Sequence, residues 1–114
     1  MGKINEENLN QFVDELFDRV GKYLSYNMGV DGKEVCENWR SEITNELHYV
    51  FVKGQRFYHK GTLAHEVYRP FYPCFDNAGL LIGGESWNPE LPAQDRLNVM
   101  NIIKDLLKEW GYNE

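Results

Sequence analysis

The chain carries only two cysteines, Cys36 and Cys74, among its 114 residues. They make neither a C-x-x-C pair nor a Cys/His zinc spacing, which excludes a disulfide-dense scaffold and a zinc-organised fold. Two cysteines so far apart read as reduced thiols of a cytoplasmic protein, and the spacing leaves a bond between them open. Long apolar runs are missing too, since nothing approaches the roughly 18 residues that a membrane helix needs. The opening residues Met1-Gly2-Lys3-Ile4-Asn5-Glu6 lack the apolar stretch of a signal peptide. Glu6 also stands where a myristoylation motif takes Ser or Thr. These features predict a cytoplasmic location and no membrane partner.

Positive charge is scarce. Twelve Lys and Arg face eighteen Asp and Glu, for a formal net charge of −6 and a pI near 5.0. Such a chain disfavours nucleic acid and anionic membranes, which select clustered cations. Catalytic motifs are missing as well. Gly84-Glu85-Ser86-Trp87-Asn88 lacks the last glycine of a nucleophile elbow, and Gly79, Gly83 and Gly84 form neither a P-loop nor a dinucleotide fingerprint. His65-Glu66 opens like a zinc-protease motif, but Arg69 occupies the place of the second histidine. No spacing draws His48, His59, His65 and Cys74 onto a metal. The sequence therefore predicts no catalytic set, no metal and no cofactor.

What is present suits one globular domain spanning 1–114. Hydrophobic residues make up 42% of the chain and aromatic ones 14%, enough for a packed core. Leu9, Phe12, Val13, Leu16, Phe17, Val20, Tyr23 and Leu24 recur at steps of three and four, predicting a first amphipathic helix capped near Asn5 and stopped by Asn27 and Gly29. Val35, Trp39, Ile43 and Leu47 predict a second helix from about residue 33. Tyr49-Val50-Phe51-Val52 is β-branched and aromatic and reads as a strand. Pro70 and Pro73 argue for an extended, edge-strand course over Val67–Phe75. Asp76-Asn77-Ala78-Gly79 reads as a turn into a strand at Leu80-Leu81-Ile82, making a β-hairpin. After a loop at residues 85–92, a last helix runs from about Ala93 to Trp110, with Leu97, Met100, Ile103, Leu106, Leu107 and Trp110 on one face. The expected fold class is α+β: two N-terminal amphipathic helices, a small antiparallel sheet or hairpin, and one C-terminal amphipathic helix.

Charge is unevenly spread. Residues 1–47 hold five Lys/Arg against ten Asp/Glu, and residues 76–114 hold three against seven. Between them, residues 48–75 hold Lys53, Arg56, Lys60 and Arg69 against Glu66 alone, with all three histidines and eight aromatics. Two functional expectations follow. Asp14, Glu15 and Asp18 on the first helix, with Glu34, Glu37, Glu42 and Glu46 on the second, form a carboxylate surface suited to a partner protein with a basic face. Ordered carboxylates mimic phosphates and speed encounter, as small inhibitors and neutralisers exploit. Trp87, a large aromatic in a polar loop, joins that set as an interface anchor. The rival expectation is a small-ligand module or small enzyme in which Arg56, His59, His65 and Arg69 contact an anion amid aromatics. A homodimer joined through an amphipathic helix is the remaining alternative.

Overall fold

The computed structural model describes residues 3–57, 61–83 and 89–113. The apolar stripe of the first thirty residues folds as α1 (Leu9–Met28), with Leu9, Phe12, Val13, Leu16, Phe17, Val20 and Leu24 all buried. A ring of local bonds sets its start. Asn5 Oδ1 accepts the Glu7 and Asn8 amides at 2.9 and 3.0 Å, while Asn8 Oδ1 accepts the Asn5 amide at 2.6 Å. It ends at Gly29, whose φ of 69° is the left-handed conformation that glycine adopts without steric cost.

The single second helix expected from sequence is two helices, α2 (Gly32–Glu37) and α3 (Arg40–Phe51). Asp31 caps α2 by accepting the Glu34 amide at 3.2 Å. The break at Asn38-Trp39 is closed by the Trp39 amide donating to the Cys36 carbonyl at 3.0 Å, a tightened turn that redirects the chain. Thr62 then caps α4 (Leu63–Tyr68), its hydroxyl oxygen accepting the His65 amide at 3.3 Å. A 3₁₀ turn (Arg69–Phe71) leads into α5 (Tyr72–Asn77), and α6 (Ala93–Glu109) completes the order.

The expected α+β class is thereby overturned. Helices take up 68% of the described residues, and none of these residues forms a strand. Tyr49-Val50-Phe51 belongs to α3, because Val50 extends the buried face of Ile43 and Leu47 at helical spacing. Residues 67–75 are helical despite their prolines. Pro70 and Pro73 each occupy the first turn of their element, where the missing N–H would have had no partner anyway. Of the expected hairpin, the described residues hold a single antiparallel bridge, in which Ile82 and Glu90 exchange amide bonds of 2.8 and 3.1 Å.

Phe12, Phe17, Phe71, Phe75 and Trp110 fill the core, with Phe12 edge-on to Trp110 at 5.6 Å and Phe71 stacked on Phe75 at 5.6 Å. Polar ties hold α6 to α1, among them the bond from Asn98 Nδ2 to the Tyr23 hydroxyl at 3.0 Å. Arg19 grips Glu109 bidentately at 2.6 and 2.7 Å, and the Tyr23 hydroxyl donates to Asp95 at 2.6 Å. No helix among the described residues is long and apolar enough to cross a membrane.

Cys36 on α2 and Cys74 on α5 are both buried and unbonded. Burial, helped by the nearby Glu37 charge, pushes the Cys36 thiol up to about 12, and burial together with Cys36 moves Cys74 in the same direction. At about pH 8 the native thiols are therefore expected to react with an aromatic disulfide reagent about a thousandfold more slowly than free cysteine. Denaturant should expose both. Because these thiols bind protons more tightly when folded, their contribution to stability is complete below the ordinary thiol range and is lost as pH rises toward about 12. Rapid labelling of native protein would contradict this placement.

Candidate functional site

Of the acidic residues named from sequence, Asp14, Glu15, Asp18, Glu37 and Glu42 come together where α1 passes α2 and the start of α3, whereas Glu34 lines a separate cleft beside Trp39 and Cys74. Arg40 organises them. Its Nη2 donates to Asp14 at 2.6 Å and to Glu37 at 2.8 Å, its Nε donates to Glu37 at 2.7 Å, and its guanidinium lies 5.0 Å from the Phe17 ring centre. The forked donor geometry fixes both carboxylates, and the aromatic face holds the fork in place. Lys33 approaches Asp18 at 3.9 Å, a looser and more exposed pair. Asp14, Glu15, Asp18, Lys33, Glu37 and Arg40 line one cleft of about 430 Å³.

A second, wider cleft of about 800 Å³ adjoins it between α1 and α3 and shares Glu37 and Arg40. Glu42 lies here with Glu6, Asn10, Asn45 and His48, and His48 Nε2 is 3.9 Å from Glu6. Among the described residues of the two clefts, Glu6, Asp14, Glu15, Asp18, Glu37 and Glu42 stand against only Lys33 and Arg40 as permanent cations. The Arg40 bonds hold the Glu37 carboxyl below its ordinary range, and those same bonds raise the guanidinium further. The Glu37 interaction thus contributes above the usual carboxylate range and is lost as pH falls through its lowered pKa. Two oxygens in these clefts, Thr44 Oγ1 and Glu15 Oε2, are shielded from solvent and have no hydrogen-bond partner among the described residues.

The basic and aromatic segment is built differently. Glu66, fully buried on α4, accepts the Phe57 amide at 2.9 Å and sits 3.7 Å from Arg56 Nε. Arg56 also donates to the Gly61 carbonyl at 2.8 Å. Arg69 pairs with Glu46 and lies 3.8 Å above the Phe57 ring. Both arginines are therefore engaged by carboxylates of their own chain, and Glu46, assigned from sequence to the acidic surface, serves Arg69 instead. His65 hydrogen-bonds Thr62 through Nδ1 at 2.9 Å. His59 and Trp87 lie outside the described residues.

Sequence reasoning missed three residues that shape this picture. Arg40 was counted only as one cation in an acidic half, and its role emerges once α1 and α3 are adjacent. Glu66 gave no sign of burial. Leu97, placed on the core face of the last helix, is 53% exposed. Among the described residues no group of three or more His, Cys, Asp or Glu side chains is arranged to hold a metal ion. Compared with protein-family models, with curated proteins and with solved structures, the chain matches none.

Proposed function

We propose that this protein acts by binding another protein through the acidic face of α1, α2 and α3. The reading is of a cytoplasmic neutraliser or inhibitor, of the kind that immunity proteins, antitoxins and phage-borne blockers of host factors represent. One observation carries it. Arg40 holds Asp14 and Glu37 at the junction of two clefts whose charged lining residues are mostly carboxylates. Carboxylates ordered before encounter lose little freedom on binding, and their field draws in a basic partner. Two unbonded thiols suit a reducing compartment. The rival anion-binding reading has less support, since Arg56 and Arg69 face Glu66 and Glu46.

The test changes Asp14, Glu15 and Asp18 together to Asn, Gln and Asn and measures association with the captured partner by stopped flow. At about 50 mM salt the variant should associate about tenfold or more slowly than the native chain, and the difference should shrink at about 500 mM. An unchanged rate at low salt would remove this face from the interaction.

A further inference from the structure

The apolar stripe of α6 does not stop where the core stops. Val99, Ile103 and Leu106 are fully buried and Met100 is 7% exposed, yet Leu97, one turn before Met100, stands 53% exposed. Beside it the end of α4 and the start of α6 leave a cleft of about 460 Å³ whose walls include Tyr68, Leu97 and Met100. Arg96 and Lys104, both exposed, also line it, about one helical turn before and after Met100. Eight residues apart on one helix, they are separated by about 12 Å. His65 also lines the cleft, and Glu90 is the single carboxylate among its described lining residues. On a chain of net charge −6, this is a locally cationic, apolar-floored cleft.

We propose that the cleft docks a short amphipathic segment of a partner protein, one whose apolar side chains are bracketed by carboxylates about two helical turns apart. The apolar residues cover Leu97 and Met100, removing from water surface that the fold leaves bare. The bracketing carboxylates reach Arg96 and Lys104. The separation of the two cations selects a segment over a small monocarboxylate, which engages one cation and leaves the other unmatched. The docking surface is on α4 and α6 and is separate from the acidic face of α1–α3, so either can fail without the other.

The experiment uses a dye-labelled helical peptide in which two leucines lie between glutamates about two turns apart, titrated with the full chain by fluorescence anisotropy. A second peptide carries lysine in place of each glutamate. The native chain should bind the glutamate peptide about tenfold or more tightly than the lysine peptide. R96E with K104E should reverse that order, which also shows the variant to be folded. Leu97→Ser should weaken the preferred peptide about fivefold or more. The proposal is overturned if neither peptide binds at about 1 mM, or if the two bind alike. Displacement of the glutamate peptide by micromolar decanoate would assign the cleft to a small amphiphile instead. Self-association that R96E with K104E abolishes would assign it to a second copy of the chain, and either result overturns the proposal.

Discussion

Gly32→Ala will lower the stability of the protein by about 3 kcal/mol or more, the largest effect expected of any single methyl group added here. A Cβ at Gly32 would lie 1.9 Å from the Gly21 carbonyl oxygen and 2.7 Å from its carbon, both of them backbone atoms within α1. No rotamer change relieves that overlap, so α2 must move away from α1. Moving α2 also disturbs the bond from the Gly32 amide to Ser25 Oγ at 2.9 Å and the burial of Cys36. Small domains are stable by only about 5–15 kcal/mol, so this loss is a large fraction of the total. Gly21→Ala is the matched control. Its Cβ meets Lys33 N at 3.1 Å and Gly32 C at 3.2 Å, and about 1 kcal/mol of helix propensity works in its favour. Urea denaturation should place Gly21→Ala near the native chain and Gly32→Ala far below it. Equal midpoints for all three would mean that α1 and α2 are not in backbone contact.

Glu66→Ala is the second large effect, expected at about 2–4 kcal/mol. Its carboxylate is fully buried, takes the Phe57 amide at 2.9 Å and faces Arg56 at 3.7 Å. Removing it leaves a void and withdraws the acceptor that ties Arg56 and Phe57 to α4. Glu66→Gln preserves shape and an acceptor while removing the charge, so it should fall between the two. Hydrogen exchange separates local from global loosening, since the Phe57 amide should exchange faster in Glu66→Ala than the overall loss of stability explains. A variant as stable as the native chain, with Phe57 still protected, would contradict the role given to Glu66.

The long helices were legible because each carries a sustained apolar stripe. The periodicity of Leu9 to Leu24 marks α1, and that of Met100 to Trp110 marks α6. The middle of the chain was misread for reasons that residues make plain. Val50 and Phe51 have strand propensity, but Val50 completes a helical face with Ile43 and Leu47, and burial outweighs propensity. Pro70 and Pro73 forbid a continuous helix yet open two short ones. Leu80-Leu81-Ile82 contributes only Ile82 to a single bridge. Of the candidate site, the clustering of Asp14, Glu15, Asp18, Glu37 and Glu42 was visible in composition. The organising role of Arg40 was not, because it depends on α3 returning alongside α1. Leu97 shows the matching limit, in that periodicity tells which face a residue shares and not whether anything covers it.

On the proposed reading, the α1–α3 face recruits a protein by charge. The most direct test is a differential capture from isotopically labelled, nuclease-treated source-cell lysate, comparing the tagged native chain with the Asp14, Glu15 and Asp18 triple variant. The expected result is one stoichiometric protein with a basic surface, retained by the native chain, released by salt and depleted on the variant. Equal recovery of the same proteins by both chains, or none by the native one, would contradict it.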